Sequence, residues 1–425
     1  MIKTQRIAAS VVEKVLAGAS LTAVLQALWQ LYPALSSQQR GAIQDLSYGV
    51  LRFYGQLDAL LGLLLKKSLQ DRKLYFLLLV SLYQLEYSKT PSHAVVDHAV
   101  SASRFLGGSK RIPGLVNAIL RNFIRQHECL LQQVDGNDVG RYSHPQWWID
   151  KLRTQYPHDF QAILAANNKR PPMTLRVNQR KISVADYQAL LDKKEMKTQL
   201  LWCSALQLVQ PVNVKELPGF SEGWVSVQDA GAQLAAPFLN IQDGMRVLDA
   251  CAAPGGKSTH LLELGQVALT VLDNDATRLA RVAQNLERSR VKAARLICGD
   301  AAYPAQWWDG KPFDRILADV PCSASGVVCR HPDIKWLRRE RDLAQFVVTQ
   351  QKILNALWLI LARGGQLLYV TCSVFAEENQ CQMEKFLCHH SNAQALSLSG
   401  MSIMNGQLLP NMYHDGFFYT LLHKT

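Results

Sequence analysis

The spacing of apolar residues predicts helices over roughly the first third of the chain. From Thr4 to about Gln132, apolar side chains recur every three or four positions, as at Ile7, Val11 and Val15. This period places them on one face of a helix, where they can be buried together. The pattern therefore predicts an all-helical domain over residues 1–138.

The pattern changes after a run of polar turn residues, Asp-Gly-Asn-Asp at 135–138, which we interpret as a domain boundary. Beyond it we expect a short helix over Arg141–Tyr156, followed by short alternating segments typical of strands. The strand candidates are Met173–Val177, Leu206–Val209 and Trp224–Val227. A small α/β subdomain is therefore predicted over residues 139–235.

From Met245 onwards, short apolar strands alternate with longer amphipathic helices. The predicted helices include Ala276–Ser289 and Asp342–Ala362, and the predicted strands are Arg246–Asp249, Ala268–Leu272, Arg295–Cys298, Arg315–Ala318 and Gln366–Tyr369. Such alternation predicts a mostly parallel sheet covered by helices on both faces. We assign residues 236–425 to this α/β domain and expect its ligands at the carboxyl ends of the strands.

Composition and charge narrow the class of protein. The 425 residues carry a net charge of +12, and residues 1–140 hold 15 basic against 9 acidic residues, which favours a polyanionic partner for the helical domain. The nine cysteines include no C-x-x-C pair, so neither a disulfide framework nor a metal site is expected. Because no apolar run approaches the roughly 18 residues of a membrane helix, we expect a cytoplasmic protein with no membrane partner.

Two groups of basic residues could meet this partner. The first group lies near helical spacing in the front domain and consists of Lys110, Arg111, Arg121 and Arg125. The second group lies in the α/β domain and consists of Arg330, Lys335, Arg338, Arg339 and Arg341. Each group could bind phosphates or could simply be a solvated helix surface, and the spacing leaves both interpretations open.

The segment 247–259 reads as a strand that runs through a glycine loop into a helix. Its end, Gly256-Lys257-Ser258, matches a phosphate-binding P-loop, but Cys251 stands where that motif needs its first glycine, and the dinucleotide fingerprint is absent. Asp273 follows Asp249 by 24 residues, an offset at which a carboxylate can hold a ribose. An acidic strand end suits a cationic cofactor without phosphates, such as S-adenosylmethionine.

Three motifs then give a specific resemblance. Asp-Ala-Cys-Ala-Ala-Pro-Gly-Gly-Lys-Ser at 249–258, Asp-Val-Pro-Cys-Ser at 319–323 and Thr-Cys-Ser at 371–373 resemble the signatures of the RNA (cytosine-5) methyltransferases. Over its whole length, including Arg-His-Pro-Asp-Ile-Lys-Trp at 330–336, the chain is similar to the bacterial 16S ribosomal RNA methyltransferases of the RsmB (Sun/Fmu) type. The resemblance implies a NusB-like RNA-binding front domain and a Rossmann-like S-adenosylmethionine-dependent methyltransferase domain.

The resemblance also implies roles for individual residues. Cys372 is expected to be the nucleophile, Cys322 to assist release, and Asp319 and Lys257 to act on the target base. The expected cofactor contacts are Cys251, Ala252, Ala253, Pro254, Gly255, Gly256, Lys257, Asp273, Asp300 and Asp319. The expected product is 5-methylcytidine at one position of 16S ribosomal RNA, made by a monomer.

The chemistry explains why two cysteines are needed. Attack of a thiolate on C6 of cytosine activates C5 for methylation, and the C5 proton must then leave before the thiolate is expelled. DNA cytosine methyltransferases use a Pro-Cys nucleophile, so Cys322 remains a rival to Cys372. We expect the other thiols outside the cofactor loop to be buried or incidental: Cys129, Cys203, Cys298, Cys329, Cys381 and Cys388.

Two other functions remain as alternatives. A nucleotide-dependent oxidoreductase could use the same kind of sheet, but it would need the missing fingerprint and has no use for two motif cysteines. A non-catalytic RNA-binding or ribosome assembly factor would rely on the helical domain alone, but it would not need Cys372, Cys322 and Asp319.

Overall fold

The computed structural model describes residues 1–67, 69–107, 109–202, 204–398 and 405–425. The chain forms two compact units. The helical unit comprises residues 1–169 together with 328–340, and the α/β unit comprises residues 170–327 together with 341–425.

The described helices and strands are numbered in chain order. The helices are α1 Ile2–Leu16, α2 Leu21–Leu31, α3 Ser37–Arg52, α4 Tyr54–Leu64, α5 Arg72–Tyr87, α6 Ser92–Ser103, α7 Ile112–Asp135, α8 Asp138–Tyr142, α9 Gln146–Gln155, α10 Phe160–Asn167, α11 Val184–Asp192, α12 Ala235–Phe238, α13 Gly256–Leu264, α14 Ala276–Ser289, α15 Ile334–Leu337, α16 Asp342–Ile360 and α17 Gln380–His389. The strands are β1 Met173–Val177, β2 Thr198–Leu200, β3 Ala205–Leu208, β4 Val225–Val227, β5 Arg246–Ala250, β6 Ala268–Asp273, β7 Arg295–Cys298, β8 Phe313–Asp319, β9 Leu361–Thr371, β10 Ala393–Leu396, β11 Gln407–Leu408 and β12 Phe417–Lys424.

The helical unit is built as its apolar period predicts. Ile7, Val11 and Val15 of α1 are buried in one core with residues of α2 to α7. Helix starts are set by side chains that accept otherwise unpaired backbone N–H groups. At α3, Gln39 N donates to Ser36 Oγ at 3.2 Å and Ser36 N donates to Gln39 Oε1 at 3.0 Å, which is a complete capping box.

The single helix predicted over Arg141–Tyr156 is wrong. The structure divides this stretch into α8 and α9, with Ser143 in the left-handed region at φ 50° between them. Pro145 explains the division, because its ring fixes φ and it has no backbone N–H for a continuing helix.

Residues 328–340, which we call the docking segment, belong to the helical unit although they interrupt the α/β unit in sequence. Arg52 Nη2 donates to Cys329 O at 2.7 Å, and Trp336 Nε1 donates to Leu51 O at 2.7 Å. Lys335 in the same segment is fully buried. The phosphate-binding role considered for Lys335 is therefore wrong, since a side chain sealed inside the unit cannot reach a phosphate.

The α/β unit contains two sheets. The smaller sheet is antiparallel in the order β2-β3-β1-β4. The larger sheet runs β10-β12-β9-β8-β5-β6-β7, with β11 paired to β12. Strands β5 to β9 pair in parallel, whereas β12 is antiparallel to β9.

The predicted strands and helices of this unit are found within a few residues of their expected bounds. One difference is at α16, whose predicted end is Ala362. It ends two residues earlier, at Ile360, because β9 begins at Leu361. The helical front region, the small α/β region and the larger α/β region are confirmed as a fold class. The exact domain boundaries at 138 and 235 stay predictions.

Candidate active site at the carboxyl edge of the parallel sheet

The loop between β5 and α13 is shaped by two residues with positive φ. Cys251 has φ 64° and Gly255 has φ 96°. A Cβ on Gly255 would lie 2.8 Å from Val282 Cγ1 of α14, so only glycine allows both this backbone conformation and this close packing. Cys251 is half-buried against the core, as expected for a small packing residue.

The predicted cofactor residues of this loop are held together by neighbouring strand ends. Ala253 N donates to Asp273 Oδ2 at 3.0 Å, and Ala252 N donates to Leu272 O at 2.9 Å. Pro254 and Gly256 complete the turn into α13. The end of β6 therefore fixes the loop at the carboxyl edge of the sheet.

Asp249, at the end of β5, is a fully buried carboxylate. Ser258 Oγ donates to its Oδ2 at 2.5 Å, while its Oδ1 has no hydrogen-bond partner among the described residues. Burial raises the pKa of Asp249 to about 7; the hydrogen bond from Ser258 opposes this, and the nearby Asp319 charge adds to it. A positively charged group next to Asp249 would stabilise the carboxylate charge that burial disfavours, and a donor on that group could bond to the unpaired Oδ1.

Asp273 and Asp300 lie at the ends of the next two strands. Asp273 is almost fully buried and also accepts from Asp275 N at 3.1 Å. Asp300 Oδ1 accepts from Ala302 N at 2.9 Å, and Gly299 N donates to Asp273 O at 3.0 Å. Asp249 near the end of β5 and the two predicted cofactor carboxylates, Asp273 at the end of β6 and Asp300 just after β7, thus lie in order at one edge of the sheet.

Lys257 and Asp319 form an ion pair at this same edge. Lys257 Nζ lies 2.5 Å from Asp319 Oδ2, and it also lies 5.6 Å from the ring centre of Phe417. Burial opposes the charge on Lys257, but the Asp319 carboxylate outweighs burial and holds the pKa of Lys257 above its usual value. The lysine therefore stays cationic beside the end of β8.

The two motif cysteines lie next to each other, although 50 residues separate them in sequence. Cys322 Sγ is 3.4 Å from Cys372 Sγ. Cys322 is buried, whereas Cys372 is half-buried. The hydrogen bond to Cys372, with burial and the Cys372 charge adding to it, raises the pKa of Cys322 well above its usual value. Burial and the neighbouring thiol therefore both disfavour loss of the proton from Cys322.

Sequence reasoning missed Glu378, a fully buried residue between β9 and α17. Its carboxylate accepts hydrogen bonds from Ser323 and Ser373, the residues that directly follow the two cysteines. The repeated Cys-Ser pair in two motifs was the available signal. A carboxylate that would join the two pairs could not be recognised from spacing.

Sequence reasoning also missed Arg176 of β1. Its buried guanidinium pairs with both oxygens of Glu263, at 2.9 and 2.7 Å, and donates to Gly256 O at 2.7 Å. It therefore connects the smaller sheet to the first residue of α13. The only sequence signal was a single basic residue inside an apolar strand.

Among the described residues, the thiols outside the loop 251–257 and the Cys322–Cys372 pair lie in other environments. Cys329 is buried and Cys381 is half-buried, whereas Cys129, Cys298 and Cys388 are exposed. Cys203 lies outside the described residues. Among the helices that the structure describes, none has the length and hydropathy to cross a bilayer.

Family models match the chain in three consecutive blocks. The model described as 16S rRNA methyltransferase RsmB/F matches residues 236–423. A model for the ferredoxin-like domain of RsmF/B-like methyltransferases matches residues 144–215, and the NusB family model matches residues 2–125. The helical front domain is thus of the NusB family, and the smaller sheet belongs to a ferredoxin-like domain.

Solved structures share the fold. The crystal structure of PH0851 covers 99% of both chains with a TM-score of 0.78 at 22% identity, a likeness that shows the fold alone. The crystal structure of a methyltransferase homologue from Pyrococcus horikoshii is 25% identical, with a TM-score of 0.60, and covers 68% of this chain and 97% of that chain.

Curated relatives match nearly end to end. Ribosomal RNA small subunit methyltransferase B of Vibrio cholerae is 45% identical over 413 residues, which cover 96% of this chain and 94% of the relative. The protein of the same name from Proteus mirabilis is 42% identical over 425 residues, or 98% of each chain. The expected resemblance and the expectation of a methyltransferase are confirmed. The chain belongs to the ribosomal RNA small subunit methyltransferase B family.

Proposed function

We propose that this enzyme methylates C5 of a cytidine in 16S ribosomal RNA, with S-adenosylmethionine as methyl donor, through a covalent bond between Cys372 and C6. The observation that carries the proposal is the pair of thiols 3.4 Å apart beside the Lys257–Asp319 ion pair. A dinucleotide oxidoreductase would have no use for this arrangement, and a non-catalytic assembly factor would not need it.

The proton arrangement of the thiol pair favours Cys372 as the nucleophile. Because the pKa of Cys322 is raised well above its usual value, Cys322 is the thiol that keeps its proton, whereas the thiolate is the reactive form of cysteine. Cys372 is also the more exposed of the two, so a base can reach it.

The same pair supplies a base at a later stage. Once Cys372 is bonded to C6, it no longer accepts the hydrogen bond that is the leading cause of the high pKa of Cys322. Cys322 can then release its proton to water more readily, and the resulting thiolate takes the C5 proton. The C5–H electron pair re-forms the C5–C6 double bond as the C6–sulfur bond breaks, which expels Cys372 as a thiolate. We assign to Asp319 the role of holding the base edge and to Lys257 that of stabilising charge on the ring.

The residues at the sheet edge fit the proposed methyl donor. S-adenosylmethionine is cationic at sulfur and, when bound, supplies an electrophilic methyl group. Asp249 carries a buried oxygen without a partner among the described residues, and Asp273 and Asp300 follow it on adjacent strands. We assign the cofactor site to these carboxylates and to the loop 251–257.

The target cytidine must leave its stack or lie in a single-stranded loop, because an enzyme cannot reach C5 and C6 from both faces inside a helix. We further propose that the helical unit contributes RNA affinity through its exposed basic residues, and that the enzyme acts as a cytoplasmic monomer. Its basic excess supports the first of these proposals.

The test uses 16S RNA fragments that carry 5-fluorocytidine, whose C5 cannot lose a proton. The native enzyme should form an adduct that survives denaturing electrophoresis, and the Cys372→Ala variant should form none and lose methylation by at least about 10³-fold. Cys388→Ala, which removes an exposed thiol, is the matched control and should behave as the native enzyme.

With unmodified RNA, Cys322→Ala should methylate once and stall as a protein–RNA thioether. An adduct that persists in Cys372→Ala and is absent from Cys322→Ala would instead assign the nucleophile to Cys322.

A further inference from the structure

Glu378 lies where two reactive loops meet. Cys322 and Ser323 follow β8, and Cys372 and Ser373 follow β9, two strands that pair in parallel. The chain then turns from β9 through Glu378 before α17 begins at Gln380. This turn brings the carboxylate of Glu378 between the two Cys-Ser pairs.

Each carboxylate oxygen of Glu378 accepts two hydrogen bonds. Oε2 accepts from Ser323 Oγ and from Ser373 Oγ, both at 2.5 Å. Oε1 accepts from Ser323 N at 2.8 Å and from Gln350 Nε2 at 3.0 Å. An ionised carboxylate has about four acceptor sites, so these four donors satisfy it without exposure to water. We call Glu378 with these three partners the Glu378 clamp.

The short distances indicate strong bonds. Hydrogen bonds from hydroxyl groups to an ionised carboxylate are about twice as strong as neutral ones and typically 2.5–2.7 Å long. A shift of either serine would leave part of a fully buried carboxylate without a donor, which is costly. Each serine is bonded covalently to its cysteine, so holding the serines also restrains both sulfur atoms.

Further contacts fasten the same two loops. Ser325 Oγ accepts from Val374 N at 2.9 Å, and Gly326 N donates to Cys372 O at 2.8 Å. These bonds hold the backbones together. In the Glu378 clamp, one charged group instead touches the residues next to both sulfurs.

We propose that Glu378 is a positioning residue that sets the separation of the Cys322 and Cys372 sulfurs by acting through Ser323 and Ser373. Glu378 need not touch the RNA or the methyl donor. The importance of this separation rests on the function proposed above, because proton transfer between the two sulfurs and hand-over from nucleophile to base depend on their distance.

The separation can be measured without any methyl transfer. In a glutathione redox buffer, two nearby thiols form a disulfide with an effective molarity that reflects how well they are aligned. The sulfurs must close from 3.4 Å to about 2.05 Å, so alignment decides the outcome. Peptide mapping by mass spectrometry quantifies the Cys322–Cys372 disulfide separately from glutathione adducts at other cysteines.

Ser373→Ala is the decisive variant, because it removes one hydroxyl and breaks the side-chain connection from the Cys372 loop to Glu378. We expect the effective molarity of the Cys322–Cys372 pair to fall about tenfold or more. Glu378→Gln should lower it too, since an amide replaces the charge. Glu384→Gln, on the exposed face of α17, is the matched control and should leave it unchanged.

A double-substitution cycle tests whether the serine acts through Glu378. If it does, Ser373→Ala combined with Glu378→Gln should be little worse than the more damaging of the two single substitutions. Additive losses, or a lower melting temperature with an unchanged effective molarity, would overturn the proposal and leave Glu378 a structural residue.

The outcomes separate this proposal from the proposed function. If effective molarity depends on Glu378 but the native enzyme makes no adduct with 5-fluorocytidine RNA, the positioning role stands and the covalent mechanism falls. If the adduct forms but neither Ser373→Ala nor Glu378→Gln changes the effective molarity of the Cys322–Cys372 pair, the covalent mechanism is supported and the positioning role of Glu378 is overturned.

Discussion

Two lysines, the half-buried Lys257 and the fully buried Lys335, have opposite electrostatic surroundings. Lys257 in the α/β unit lies 2.5 Å from the Asp319 carboxylate, which holds its pKa above the usual value in spite of burial. Lys335 in the helical unit donates to Arg52 O at 2.7 Å and to Asn168 Oδ1 at 2.8 Å, both neutral oxygens. Burial and the nearby Arg52 charge lower the pKa of Lys335 well below its usual value.

The difference distinguishes a lysine that can contact a substrate from a lysine that is part of the packed interior. Lys257 is partly reachable, with 14% of its side chain exposed and its partner Asp319 at 27%, so both can meet a substrate. Lys335 is fully buried. The ring of the adjacent residue Trp336 packs against the ring of Tyr54, with 4.9 Å between the ring centres. We therefore expect changes at Lys257 to affect chemistry and changes at Lys335 to affect folding.

The largest contrast should come from replacing each lysine by alanine. Lys335→Ala removes a buried stem and the donor of the hydrogen bonds to Arg52 O and Asn168 Oδ1, so we expect it to lower the free energy of unfolding by about 2–4 kcal/mol. Lys257→Ala leaves a carboxylate that water can reach, so its cost to stability should be about 1 kcal/mol. Its methylation rate should nevertheless fall by about 10²–10³-fold.

Urea unfolding and methyl transfer to RNA, measured on the same preparations, check this pair of expectations. Lys89→Ala, at an exposed position in the helical unit, is the control and should change neither quantity. If Lys335→Ala loses activity while its unfolding curve is unchanged, the distinction between the two lysines fails.

Sequence patterns predict the surroundings of these lysines only where the neighbouring residues are local in sequence. Lys257 lies in a glycine loop whose strand, turn and helix are all local, so both its position and its neighbours could be predicted. For Lys335 the run of basic residues suggests a phosphate contact. Its burial could not be predicted, because that burial depends on α3 and on Asn168 after α10, which precede Lys335 by more than 150 residues in sequence. The role of Glu378 could not be predicted for the same reason, because its hydrogen-bond partners lie on two loops that meet only in the folded sheet.

A smaller contrast should appear in the pH dependence of stability. The unfolded state binds more protons than the folded state wherever Lys335 is neutral when folded, so native stability relative to Lys335→Met should rise with pH up to about 10.5. For Lys257 the folded state holds its proton more tightly. Its contribution relative to Lys257→Met should therefore be complete below 10.5 and be lost as pH rises beyond that value.

Peptide-resolved hydrogen exchange should follow each unit separately, because a protein of two compact units need not unfold in one step. For each lysine we compare the stability of the native protein with that of its methionine variant as pH changes. The stability difference should rise with pH below 10.5 for Lys335 and fall with pH above 10.5 for Lys257. Equal slopes for both lysines would mean that the Asp319 carboxylate does not distinguish them.

The docking segment also changes how the RNA role of the helical unit should be tested. Deleting the helical domain would expose Lys335 and Trp336, which are packed against it, and any loss of RNA binding could then reflect misfolding. Replacing surface charges avoids this problem. The first basic group is suitable because all four of its side chains are exposed on or beside α7.

The smallest expected effect is therefore on the salt dependence of RNA binding. Glutamine at Lys110, Arg111, Arg121 and Arg125 should reduce the slope of log affinity against log salt by about 0.7–0.9 for each phosphate that the variant no longer neutralises, with methylation at saturating RNA retained. The control removes four exposed charges from the α/β unit, at Lys193, Lys194, Lys352 and Arg363. Fluorescence anisotropy over a salt series gives both slopes. If the two variants show equal reductions in slope, the basic group on α7 is only a solvated surface, and RNA affinity follows total charge rather than the helical unit.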